Sequence, residues 1–182
     1  MIMAVKKYDN YPIWIPILSF IFMIIIYALG AYILSGFGIL WVILYLIYCI
    51  IIEALVLKRS CVNCYYYGKV CGLGKGKICA KIFKRGDPQK FREKEVSFKE
   101  ILPDFLTLIF PLIGGIILLI INFTVLLLLF LIIFISLYLS GNALIRGSLA
   151  CKYCKQGELG CPALKAFQKV NAIQVEKEDE SQ

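Results

Sequence analysis

Apolar residues run through this chain in unbroken blocks, without the alternation of a half-buried strand or the periodic stripe of a surface helix. Residues 13–34 and 39–57 form the first two blocks, separated by the uncharged stretch Ser35-Gly36-Phe37-Gly38. At about 1.5 Å per residue, each is long enough as a helix to cross a hydrocarbon core about 30 Å thick. A third block, residues 105–145, is too long for one crossing, and its only polar break is Asn122-Phe123-Thr124. A tight turn there divides it into two further helices. The pattern predicts an all-α membrane protein with four transmembrane helices arranged as two hairpins.

Smaller features refine the third helix. Pro111 and the pair Gly114-Gly115 read as a tolerated kink and a close packing point, with a hinge as the sharper alternative. Ser97-Phe98-Lys99-Glu100 has the form of a capping box, and Phe98, Ile101, Leu102 and Phe105 then share one helical face. Pro103 interrupts that face, which predicts a short interfacial turn bending into the membrane helix. Asn122-Phe123-Thr124 also matches a glycosylation sequon, but a turn this close to the bilayer is a poor acceptor.

Composition agrees with the pattern: 60% of the 182 residues are hydrophobic, and the mean hydropathy is +0.81. Twelve Lys and Arg lie between Lys58 and Lys99 against three acids, Asp87, Glu93 and Glu95, so this one loop accounts for the +8 of the whole chain. Charge confined between apolar runs suits a loop held against anionic lipid headgroups, and no nucleic acid is expected as a partner. Lys6 and Lys7 precede the first block, Lys58 and Arg59 follow the second, and Arg146 and Lys152 follow the fourth. The positive-inside rule then places both termini on the cytoplasmic side of the cell membrane. With no small-residue cleavage site after it, the first block is expected to anchor the chain rather than act as a cleavable signal. The chain divides into a first hairpin (1–57), a basic cysteine-rich loop (58–102), a second hairpin (103–146), a second cysteine segment (147–170) and an acidic tail (171–182) expected to be disordered.

Cysteine carries the candidate chemistry. Histidine is absent, which excludes Ser-His-Asp and Cys-His catalysis and any imidazole metal ligand. Cys61, Cys64 and Cys71 form a C-x2-C-x6-C motif after the first hairpin, and Cys151, Cys154 and Cys161 repeat it after the second. Glu53-Ala54-Leu55 and Asn142-Ala143-Leu144 stand at similar distances upstream, so the chain reads as an internal duplication. A pseudo-twofold axis along the membrane normal would bring the motifs together at the cytoplasmic mouth. C-x2-C sets two sulfurs on one tight turn, where both can bind one ion, and Cys79 supplies a fourth ligand to the first motif. Gly68, Gly72, Gly74 and Gly76 permit the turns of such a knuckle. The second motif is one ligand short, and Pro162 follows Cys161 as in many iron–sulfur loops. It would borrow a ligand from the first motif, hold a cluster with an open corner, or stay free of metal. All-cysteine ligation suits zinc or an iron–sulfur cluster, and the spacing does not choose between them. Disulfides, at home in hyperthermophile cytosol, and free or redox-active thiols are the competing readings. Cys49, inside the second helix, reads as a small buried hydrophobe.

Glu53, Asn142 and Arg146 are polar groups near the cytoplasmic ends of the helices, where Arg146 could reach Glu53 as a structural pair; a proton or ion relay is the sharper reading. The run Gly72-Leu73-Gly74-Lys75-Gly76-Lys77 lacks the spacing and the hydroxyl of a phosphate loop. Tyr65-Tyr66-Tyr67 reads as interfacial aromatics.

The run Cys61-Val62-Asn63-Cys64-Tyr65-Tyr66-Tyr67-Gly68-Lys69-Val70-Cys71, with Phe83-Lys84-Arg85-Gly86, resembles uncharacterised small prokaryotic multi-pass membrane proteins, archaeal and bacterial, that carry paired C-x2-C-x6-C motifs. The stretch from Gly147 through Cys151, Cys154 and Cys161 to Ala163 resembles them too, and the resemblance implies no activity. The functional expectation is a cytoplasmic cysteine-ligated metal site acting as a structural or docking module for a cytosolic protein partner, or in electron transfer. A membrane thiol–disulfide oxidoreductase and a small transporter built on the repeat, with Glu53 and Asn142 as its polar site, are the alternatives. No catalytic motif is present.

Overall fold

A computed structural model of the chain describes residues 7–93 and 98–162, without the side chains of 92 and 98–101. Its helices are α1 (Trp14–Leu34), α2 (Ile39–Arg59), α3 (Lys75–Ile82), α4 (Pro88–Glu93), α5 (Phe98–Ile121), α6 (Val125–Gly141) and α7 (Lys155–Glu158). Beyond Gly141 the α6 backbone continues without a break into wider π geometry over Asn142–Cys151. Four helices are long and apolar enough to cross a membrane, spanning Trp14–Phe37, Ile39–Asn63, Leu102–Ile121 and Val125–Cys151. At most 28% of the apolar window of any span is buried within the bundle, so most of each span faces outward. Ile39, Ile120 and Ile121 are among the large apolar side chains left exposed, a surface that suits lipid and not water.

Helices α1 and α5 form the central diagonal, packing on one another and on both α2 and α6. Ile26 and Ile33 of α1 meet Leu131 and Phe134 of α6, and Leu34 meets Tyr45 and Cys49 of α2. Cys49 is buried there as a small hydrophobe, as its position in an apolar run implies. Gly114 and Gly115 serve close packing. A Cβ at Gly114 would lie 2.7 Å from Leu34 Cδ2, and one at Gly115 would lie 2.8 Å from Leu131 Cδ1.

The expected interruption at Pro103 does not occur: α5 runs through both Pro103 and Pro111. Proline removes a backbone N–H and so leaves a carbonyl one turn earlier without its helical partner. For Pro111 that carbonyl belongs to Thr107, and the Tyr45 hydroxyl of α2 donates to it at 3.1 Å. Tyr48, one turn along α2, donates to the Pro103 carbonyl at 2.7 Å. The neighbouring helix thus supplies the donor that Pro111 removes and a further bond to the Pro103 carbonyl itself, and the helix is continuous through both prolines. The capping box at Ser97 and the tail after residue 162 lie outside the described residues.

Candidate functional site

The two cysteine motifs share the same pair of backbone hydrogen bonds. In the first, Cys64 N–H donates to Cys61 O at 3.3 Å and Tyr67 N–H to Cys64 O at 3.1 Å. In the second, Cys154 N–H donates to Cys151 O at 3.1 Å and Gly157 N–H to Cys154 O at 3.1 Å. Each C-x2-C is therefore a closed turn, followed by a second turn opening from its last cysteine. After the first motif the chain must reverse to start α3, and it does so at Gly68 and Gly74, with φ of 77° and 74°. These are left-handed positions that other residues occupy only with strain.

The two motifs lie against each other at one end of the bundle. Tyr65 N–H donates to Gln156 Oε1 at 2.7 Å, and Lys155 N–H donates to the Tyr66 hydroxyl oxygen at 3.0 Å. Tyr66 in turn donates to Tyr8 O at 2.5 Å and is 2% exposed. It is thus the buried centre of a cluster with Tyr11 and Ile15, against which Cys64, Cys71 and Cys154 pack. That corrects the reading of the tyrosine triplet as interfacial: the middle ring is core, because its hydroxyl is satisfied from both sides.

A segment that sequence reasoning passed over holds the motifs together. Tyr8 N–H donates to Tyr153 O at 3.0 Å, Tyr11 N–H to Val70 O at 3.0 Å, and the Tyr11 hydroxyl to Ala150 O at 2.5 Å. Asp9 accepts from Lys155 Nζ at 2.7 Å and from the Tyr65 hydroxyl at 2.6 Å, and those bonds hold its carboxyl below the ordinary carboxylate range. Residues 7–11 therefore touch both motifs, through main-chain groups of Tyr8 and Tyr11 and through the side chains of Lys7, Asp9, Asn10 and Tyr11.

Within this end Cys64 lies in the electrostatic reach of Cys154, Cys71 and Cys161. Burial first, and those neighbouring sulfurs second, push its thiol up to about 12. Cys154 is raised for the same reasons, by burial and then by Cys161 and Cys71. Cys79 stands apart. It is fully buried beneath the end of α2, donates its thiol to Leu57 O at 3.6 Å, and is raised by burial and Cys71. The Cys71 sulfur accepts from Gly76 N–H at 3.2 Å. All eight cysteines are unpaired thiols, and among the described residues no group of three or more Cys, Asp or Glu side chains is arranged to hold a metal ion. The donor chemistry fits a thiophilic ion, and the motifs are adjacent; no disulfide joins the sulfurs.

Behind the cysteines lies a polar cavity of about 80 Å³ between the four long helices. Glu53 faces it and takes Lys75, not Arg146: Lys75 Nζ lies 2.5 Å from Oε2, while the Tyr27 hydroxyl donates to Oε1 at 2.9 Å. Arg146 pairs instead with Asp104, at 3.8 Å. Both partners were overlooked in the sequence, Lys75 because it belongs to the cysteine loop and Asp104 because it sits beside Pro103. Asn142 lines the same cavity and donates from Nδ2 to Tyr138 O at 2.7 Å. No protein-family model, no curated protein and no solved structure matches this chain.

Proposed function

We propose that the chain is an integral protein of the cell membrane whose two cysteine motifs face the cytoplasm. There they act together as one thiolate site for zinc or an iron–sulfur cluster. The observation that carries this reading is the seating of one motif on the other through Tyr65, Tyr66, Lys155 and Gln156, which brings Cys64 near Cys154 and Cys161. The similar turns in the two motifs support an internal repeat, and their contact would let the first motif supply the ligand that the second lacks. Cys64, Cys71, Cys154 and Cys161 are the preferred donors; Cys61, Cys79 and Cys151 flank them. Bound metal would supply the positive charge that turns these thiols into thiolates, with release of their protons.

The basic residues gathered at this end, Lys7, Lys58, Arg59 and Lys69 among them, support a cytoplasmic placement against anionic headgroups. Such a site fixes the two halves of the bundle together and presents a docking face to a cytosolic protein; with iron it would also carry electrons. Thiol–disulfide exchange is the weaker reading, since it needs a low-pKa attacking thiolate and burial acts in the opposite direction on Cys64 and Cys154. Metal analysis with an absorption spectrum on anaerobically purified protein tests the proposal. Stoichiometric zinc or iron, lost on substituting Cys64 or Cys154 by Ser, is expected. Protein that binds neither metal even after reconstitution overturns it.

A further inference from the structure

The cavity between the four long helices has no part in the cysteine chemistry, and its walls suggest a ligand of their own. Ser19 and Tyr27 of α1, Glu53 of α2, Lys75 of the cysteine loop, Asp104 of α5 and Arg146 of the π segment face it. At about 80 Å³ it has room for several waters or for a few heavy atoms of solute. It lies at the end of the spans that carries the cysteines: Asp104 is two residues into its span, and Glu53 is six residues before Arg59.

Two acid–base pairs line this space, and they differ in kind. Glu53 and Lys75 are in close contact, 24% and 12% exposed, and Tyr27 completes their bonding. Asp104 and Arg146 meet only at 3.8 Å, with 39% and 49% of their side chains exposed. A loose, half-exposed pair contributes little stability and is easily parted. A buried, hydrogen-bonded pair is not. The wall therefore contains one fixed pair and one that can open.

We propose that the cavity binds a small net-neutral zwitterion, its ammonium on Asp104 and its acidic group on Arg146, while Glu53 and Lys75 stay paired as the rear wall. The charge count selects this class. The four side chains sum to zero, so a dipolar guest can exchange one long ion pair for two short ones and leave no charge alone in a low-dielectric site. A simple cation would leave Arg146 without its partner, and a simple anion would do the same to Asp104. Tyr138, Gly141, Asn142, Ile145 and Arg146 all line the cavity from one face of the last helix. The passage into π geometry at Asn142 occurs within that face, and such irregularities are common at binding sites. A free amino acid and the headgroup of phosphatidylethanolamine share the required chemistry.

The test uses full-length protein in nanodiscs of phosphatidylglycerol alone. Radiolabelled glycine is titrated by scintillation proximity, and phosphatidylethanolamine retention from mixed nanodiscs is read by native mass spectrometry. Binding of either one supports the site and identifies the source. Methylamine and acetate are expected to compete at least about 100-fold more weakly than glycine or glycerophosphoethanolamine, whose phosphodiester keeps it net neutral. Asp104→Asn and Arg146→Gln should each weaken binding at least about tenfold, without displacing the cysteine loop as judged by Cys79 labelling. Failure of both zwitterions to bind, or equal competition by the singly charged analogues, overturns the proposal. Neither result bears on metal content, so the two proposals fail separately.

Discussion

The contact between Lys75 and Glu53 ties the cysteine loop to the helical bundle, and removing it has a calculable effect. Two unit charges about 4 Å apart attract by about 4 kcal/mol at an effective dielectric of about 20, and each ion has given up hydration to be there. Lys75→Met leaves the Glu53 carboxylate with only the Tyr27 hydroxyl, in a site where its side chain is 24% exposed. The expected loss is about 3 kcal/mol. Glu53→Gln should cost less, about 2 kcal/mol, because the long Lys75 stem can turn its ammonium toward water. With both substitutions no charge is stranded, so the double variant should lose at least about 2 kcal/mol less than the sum of the singles. A fluorogenic maleimide on heating in mild detergent reports the outcome directly. Cys79 is fully buried beneath the loop and Cys49 lies 2% exposed within the bundle. In Lys75→Met, Cys79 should label at a temperature about 6–12 °C lower than in the parent, with Cys49 following later. Strict additivity of the two substitutions, or simultaneous labelling of both cysteines, refutes the tether.

Three further outcomes follow from the geometry. Tyr45→Phe removes the donor to the Thr107 carbonyl and should destabilise the bundle by about 1–3 kcal/mol; in a Pro111→Ala background, where the helix can bond that carbonyl itself, the same change should be nearly neutral in SDS titration. Metal-free Cys64 should alkylate about a thousandfold more slowly at pH 8 than an exposed thiol, since a thiol raised from 9.0 to about 12 holds correspondingly less thiolate. Its rate should climb about tenfold per pH unit to beyond pH 10, and a plateau at pH 9 contradicts the burial argument. Gly76→Ala drives a Cβ into the backbone carbonyls of Tyr66 and Lys69 and should open the loop to Cys79 labelling, whereas Gly147→Ala, which meets nothing within 4 Å, should label like the parent.

What could be read from the sequence was what depends on one dimension. Hydropathy runs place the four long helices to within a few residues, the uncharged turn at Ser35 and the polar break at Asn122 fall where the helices end, and Gly114-Gly115 marks a close approach. Partner choice was not readable in this way. Glu53 has cations available on several segments, and only the path of the loop through Gly74 brings Lys75 to it. The carbonyl that Pro111 orphans in α5 is served by a hydroxyl projecting from α2, which a rule about proline and its own helix does not foresee. Residues 7–11 bind the motifs through a mixture of main-chain groups and side chains with no spacing that marks them in the sequence. At the cysteines, spacing identified the turns, but not that the packing of the two motifs brings Cys64 near Cys154.

The clasp made by residues 7–11 also imposes an order on biosynthesis. Tyr11 closes on Ala150, 139 residues later in the chain. At about 5–20 residues per second, roughly 7–28 s separate the synthesis of the two. Through that interval all four long helices are made while the Tyr66 core lacks the covering of the second motif. The cysteine end can therefore close only on a chain whose fourth helix has been delivered, and a translation product halted earlier would present an open, apolar tyrosine face to quality-control proteases.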